Sequence, residues 1–165
     1  MPVPATLRRT ARLVAPARIR WAVAGCALAI MPAHARAQYA IAPVQPLAFG
    51  YLTQGVTEIV PYTDTFRRGV VQVDGTGQAW IRVVLPTSMA SPQGATIPLQ
   101  FVIGDVASQE SGKGPSAFDP AASTRVNLSK GSASLLIGGR ALPAATQRAG
   151  VYTATVTVIV SPTNF

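Results

Sequence analysis

The side chains with the most reactive chemistry in this sequence are few. There is one thiol (Cys26), one imidazole (His34) and six carboxylates, Glu58, Asp64, Asp74, Asp105, Glu110 and Asp119. A Ser–His or Cys–His pair would support nucleophilic catalysis, and Cys/His sets would hold zinc, haem iron or an iron–sulfur cluster. Two facing carboxylates would support glycoside hydrolysis. However, all six acids sit in or beside turn-like sequence, where solvated Asp and Glu ordinarily lie, and no convergent constellation stands out. Gly112-Lys113-Gly114 lacks both the first glycine of a phosphate loop and the hydroxyl residue after its lysine. Asn127-Leu128-Ser129 is a glycosylation sequon falling on an expected strand. Arg67-Arg68 could touch an anionic partner, and Trp80 and Tyr152 could stack on a sugar. Their plainer readings are a solvated strand start and half-buried sheet aromatics.

The thiol and the imidazole belong to a distinct segment. Residues 1–37 contain no Asp or Glu but carry Arg8, Arg9, Arg12, Arg18, Arg20 and Arg36. The run Trp21–Met31 is uncharged, and Pro32 and Ala33-His34-Ala35-Arg36-Ala37 follow it. A basic stretch, a short apolar stretch and an A-x-A site make a secretory signal peptide, with cleavage expected between Ala37 and Gln38. Ala35 and Ala37 supply the small side chains that the peptidase's shallow pockets require. Eleven residues rise about 16 Å as a helix, against a bilayer core of about 30 Å, so no permanent membrane span is expected. An uninterrupted apolar block also differs from an amphipathic transit peptide. Val23-Ala24-Gly25-Cys26 resembles a lipoprotein box, and lipidation at Cys26 stays a minor alternative. The apolar run continues past Cys26, and only five residues separate it from Arg20.

Cleavage would change the chemistry available. The whole chain of 165 residues has a formal charge of +8; residues 38–165 keep eight basic and six acidic side chains, a net +2, with no Cys and no His. The electrostatic footprint of a nucleic-acid binder goes with the leader. So do thiol redox chemistry, His-based catalysis and Cys/His metal sites. The expectation is therefore an exported protein, not an enzyme, with no cofactor, no metal and no nucleic-acid partner. Its core must hold the fold without disulfides, which a chain of this length can do.

Period-2 alternation and turn punctuation dominate the remainder. Leu47–Tyr51 alternates large and small, and Val56–Val60 alternates weakly up to Pro61. Val70–Val73 and Ala79–Leu85 flank Asp74-Gly75-Thr76-Gly77 and read as a hairpin. In it Ala79, Ile81, Val83 and Leu85 share one face, with Trp80, Arg82 and Val84 on the other. Pro86–Gly94 reads as a loop. Thr96–Ile103 reads as a strand that Pro98 should confine to an edge or a bulge. Gly104–Thr124 reads as a polar loop, or a short helix from Asp119-Pro120. Arg125–Leu128 and Ala133–Ile137 read as a pair about Ser129-Lys130-Gly131, and Gly138-Gly139 breaks the chain. Val151–Val160 reads as one long strand, with Tyr152, Ala154, Val156, Val158 and Val160 on one face. About seven or eight strands at this spacing imply an all-β, immunoglobulin-like antiparallel sandwich over residues 47–165, preceded by an N-terminal extension over 38–46.

Leu47-Ala-Phe49-Gly50-Tyr51-Leu52, Val71-x-Val73-x-Gly75-x-Gly77 running on to Val84-Leu85-Pro86, and Leu136-Ile137-Gly138-Gly139-Arg140-Ala141-Leu142 followed by Ala149–Val158 resemble the signatures of a bacterial secreted family, domain of unknown function 4402. The resemblance spans roughly Leu47–Val160, and its closing block is the most specific part. That family is similar to fimbrial subunits of the chaperone–usher kind. The resemblance implies an exported structural subunit of a pilus, fimbria or surface matrix in a Gram-negative-type bacterium. Its partners would be like subunits, a periplasmic chaperone and an outer-membrane usher. Such subunits assemble by β-strand addition into a groove left by a missing strand. Here the candidate donor is Gln38–Pro46, with Tyr39, Ile41 and Val44 presenting its side chains, and the candidate groove or core strand is the Tyr152, Ala154, Val156, Val158, Val160 face. The alternative is a self-complete secreted sandwich that binds a carbohydrate or protein ligand.

Overall fold

The structure, a computed structural model, describes residues 39–163. The expected cleavage residues Ala35, Ala37 and Gln38, and Cys26, lie outside the described residues. Within them the chain forms β1 (Tyr39–Gln45), β2 (Glu58–Val60), β3 (Gly69–Gly75), β4 (Gln78–Val84), β5 (Ser88–Ala90), β6 (Thr96–Gln100), β7 (Val106–Glu110), β8 (Ser116–Phe118), β9 (Thr124–Asn127), β10 (Ser132–Ile137), β11 (Gly139–Ala141) and β12 (Thr157–Pro162). Every strand pairing is antiparallel. A five-stranded sheet runs β1-β3-β10-β7-β8, a four-stranded sheet β2-β11-β6-β5, and a three-stranded sheet β12-β4-β9.

The five- and three-stranded sheets share one core. Val73, Leu135, Ile137 and Val106 from the first pack with Ala79, Ile81, Val83 and Val126 from the second. The alternation on β4 divides as expected: Ala79, Ile81 and Val83 are buried, while Trp80, Arg82 and Val84 are exposed. A second, smaller cluster around Phe49, Val60, Met89, Ile97 and Ala141 underlies the four-stranded sheet.

The two expected hairpins are not hairpins. β3 pairs with β1 and β10, whereas β4 pairs with β12 and β9. The Asp74–Gly77 turn therefore carries the chain from one sheet to the other. β9 and β10 likewise lie in different sheets, so Leu128–Gly131 is a second corner. The two corners lock together, with the Leu128 amide donating to the Gly77 carbonyl at 2.7 Å and the Gly75 amide to the Gly131 carbonyl at 3.0 Å. Gly77 takes φ +77°, a left-handed value that a Cβ would strain. Reversal signals mark where the chain turns but not which sheet it enters, because burying both apolar faces rewards crossing over as much as pairing.

Other expectations are corrected in the same way. Leu47–Tyr51 lies outside any strand and bends at Gly50-Tyr51, where Gly50 takes φ +74°. Gly104–Thr124 holds β7 and β8 and no helix; Asp119 caps a turn instead, accepting the Ala121 amide at 2.9 Å. Strand β6 is interior, between β11 and β5; Pro98 has no amide to give there, but its carbonyl accepts the Leu142 amide at 3.0 Å just past the end of the β11 ladder. Gly138 is where β10 passes into β11 and the chain changes sheet. A Cβ there would run into the Val60 carbonyl, so the close crossing of β2 requires glycine. Twelve short strands stand among the described residues where seven or eight were expected, because β5, β7 and β8 form in stretches expected to be loops, β1 in the extension and β11 after the Gly138 switch.

Candidate strand-binding groove

Strands β1 and β12 sit at the edges of facing sheets, outside β3 and β4 respectively, and so lie on the same flank of the shared core. One end of this flank is closed. The Tyr39 hydroxyl and the Thr163 hydroxyl both donate to the Gln78 carbonyl, at 3.1 and 3.2 Å. The other end is open, and the ladders explain why.

Val151–Val160 is not one continuous strand. Its ladder with β4 begins at Thr157↔Val84, and further upstream only Thr153 makes a bridge, to Ala90, with amides at 2.9 and 3.0 Å. Between these points three residues, Ala154–Val156, face five, Leu85–Met89. Continued in register, Thr155 would oppose Pro86, which has no amide proton to give. The mismatch and the proline together release Ala154–Val156 from the sheet. On the opposite wall, β1 shifts register between Pro43 and Gln45 and then ends.

Between the two loosened segments lies a cavity of about 440 Å³. Val44 and Pro46 form one wall and Ala154 and Val156 the other, over a floor that includes Phe101 and Met89. The lining is mostly aliphatic and aromatic, so the cavity suits apolar side chains on an extended backbone. Its β1 wall is braced from behind. The Gln45 side-chain amide donates to the carbonyls of Arg68, Phe66 and Thr65 at 2.8, 3.0 and 3.3 Å, and the Ala48 amide donates to the Arg67 carbonyl at 2.8 Å. That loop is held by the Arg67 guanidinium, 2.8 Å from Asp64 and 2.6 Å from Glu58. The Arg67 guanidinium, with the Phe66 and Arg67 amides, holds the Asp64 carboxyl below its ordinary pKa.

The anticipated donor and acceptor residues thus meet within one chain. Within the Gln38–Pro46 segment, Tyr39–Gln45 is a strand of the five-stranded sheet, in register with β3 from Tyr39↔Gly75 to Pro43↔Val71 and, past the shift, with Gln45 opposite Val70. Val44 lines the cavity and is 60% exposed, whereas Tyr39 packs on the main core. Ile41 stands opposite the buried Val73, on the core side of the sheet, yet remains 45% exposed because little covers that edge. Of the acceptor face, Tyr152, Ala154 and Val156 line the cavity, while Val158 and Val160 pack on the main core and leave the cavity wall. Tyr152 is fixed by its hydroxyl, which donates to the Arg148 carbonyl at 2.6 Å and accepts from the Gln147 amide at 2.7 Å. Sequence reading passed over Met89 and Pro86, which sit in a stretch read as a loop. A large apolar side chain, Met89, in a Ser/Pro/Gly segment was the available signal.

The carboxylates do not converge. Glu58 and Asp64 share Arg67, Asp105 lies 3.5 Å from the Arg140 Nε, and Glu110 binds Lys113 at 2.6 Å. Among the described residues no three His, Cys, Asp or Glu side chains gather as a metal site needs. Nor does any helix among them have the length and apolarity to cross a membrane.

A family model described as domain of unknown function (DUF4402) matches residues 50–161. No curated protein and no solved structure matches the chain.

Proposed function

The chain belongs to the DUF4402 family, and from that premise we propose that it is an exported structural subunit of a pilus, fimbria or surface matrix, assembled by exchange of a β-strand between copies. Residues 1–37 serve as the signal peptide, and the domain is an immunoglobulin-like sandwich with a replaceable edge strand. The observation carrying this reading is the open apolar cavity between the loosened ends of β1 and β12. Strand β1 is an edge strand that shifts register at a proline and exposes five of its seven residues. Its departure would join the cavity to the bare edge of β3, making one long cleft. The β1 of a second copy fills that cleft with the same register, and head-to-tail repetition builds a fibre. A bare β3 edge invites aggregation, which gives a chaperone and an outer-membrane usher their role. The mostly aliphatic and aromatic lining supports a structural role, and the reading is of a non-enzyme.

A self-complete secreted domain is the second reading, and the cis pairing of β1 with β3 favours it. The two separate by cross-linking. Ala42 and Gln72 are register partners, so cysteines at both positions lie within disulfide reach. In an Ala42→Cys/Gln72→Cys chain with Cys26→Ser, strand exchange yields a ladder of covalent oligomers on a non-reducing gel. Cross-linked monomer alone, at every protein concentration, sinks exchange and leaves the second reading.

A further inference from the structure

The three-stranded sheet has an outer face on which β4 presents Gln78, Trp80, Arg82 and Val84. Trp80 occupies the centre, directly across from Arg125 on β9 and from Ser161 on β12. It is 43% exposed, although it lies on the middle strand of its sheet. Arg125 is held by a hydrogen bond to the Gln78 side-chain carbonyl. Neither Arg82 nor Arg125 has an acidic partner among the described residues, and the three strands bring no Asp or Glu to this face. Glu110, which lines a depression with Gln78 and Arg125, is engaged by Lys113 at 2.6 Å and by the Asn127 amide at 2.8 Å. Ser123, Ser161 and Thr163 border a shallow depression beside the indole.

We propose that this face binds an acidic polysaccharide, with Trp80 stacking on a sugar ring and Arg82 and Arg125 taking the carboxylates of uronic acid units. The indole offers a flat apolar surface to the C–H face of a sugar ring. A planar guanidinium matches a carboxylate with two parallel hydrogen bonds, and two that lack acidic partners set the sign of the ligand. The bordering hydroxyls and the Gln78 amide suit sugar hydroxyls. Nucleic acid fits less well: its affinity rests on neutralising many phosphates, whereas a uronic acid oligomer needs one sugar face on Trp80 and two carboxylate contacts. The site shares no residue with the cavity between β1 and β12 and stands whether or not β1 exchanges.

Trp21 and Trp80 are the two tryptophans of the chain, so a full-length Trp21→Phe protein reports on Trp80 alone by fluorescence. Titration with hexagalacturonic acid should change that emission saturably. A neutral galactose oligomer of equal length should bind at least about tenfold more weakly, a difference of about 1.4 kcal/mol. Calorimetric titration of Trp80→Phe and of Arg82→Gln/Arg125→Gln should show weakening of about threefold and tenfold or more, with unchanged circular dichroism and melting temperature. Equal binding of acidic and neutral oligomers, tighter binding of an oligo-dT of the same charge, retention of affinity in the double arginine variant, or no binding at all would each overturn the proposal.

Discussion

The two flanks of the paired sheets are built in opposite ways. At the flank of β8 and β9 the chain itself runs from the edge of one sheet to the edge of the other. At the flank of β1 and β12 no covalent link joins the two edges. Gln78 collects two hydroxyls at one end, and a cavity of about 440 Å³ stands at the other. Leu135 and Ile81, on the middle strands of their sheets, are almost wholly buried, whereas Val156, Val158 and Val160 on the open flank are only half buried. Closing a sheet edge takes either a chain connection or a further strand, and this chain supplies a connection on one side only.

The contrast is sharpest in the core. Leu135→Ala should cost about 2–5 kcal/mol, as deletion of fully buried methyl groups does, whereas Val158→Ala should cost about 1 kcal/mol or less. Urea unfolding of both variants checks this, and equal losses would mean that the open flank is as tightly packed as the middle of the sheets. A smaller effect is expected at the brace behind β1. Gln45→Ala removes the donor shared by three carbonyls and should lower stability by about 1 kcal/mol. In hydrogen exchange the loss should fall on the β1 amides while those of β10 keep their protection.

The smallest expected effect is on pH dependence. Hydrogen bonds from Arg67 lower the Asp64 pKa, and those from Lys113, with the Asn127 amide, lower that of Glu110. A carboxylate whose folded pKa is depressed stabilises the fold above its unfolded pKa, and that contribution is lost as pH falls through the folded value. Stability should therefore stay level from neutral pH to about pH 5 and decline below it. Arg67→Gln should flatten the part of the decline due to Asp64. These partners are largely solvated, so the change is modest.

Much of the architecture could be read along the chain. The β4 alternation separated Ala79, Ile81 and Val83 from Trp80, Arg82 and Val84, and the turns at Gly75–Gly77 and Gly131 fell where expected. Strand β7 was missed because Val106-Ala-Ser-Gln-Glu110 is polar over its second half; it is a strand because β10 and β8 pair with it on both sides. The unbroken pattern of Val151–Val160 gave no hint of its interruption, since the cause lies in the opposing chain, at Pro86 and the two extra residues there. Candidate groove residues were therefore legible as an alternating face, but the cavity was not.

Local chemistry determined which residues face inward, where the chain reverses, and which side chains are available to react. These depend on side-chain period, backbone freedom and residue type, all properties of short stretches. Tertiary structure alone decided which strand lies beside which, that both reversals are corners between sheets, and that β1 docks on β3 in its own chain. Partner choice depends on burying two apolar faces at once, which is a property of the whole chain, and the same requirement left one flank unclosed.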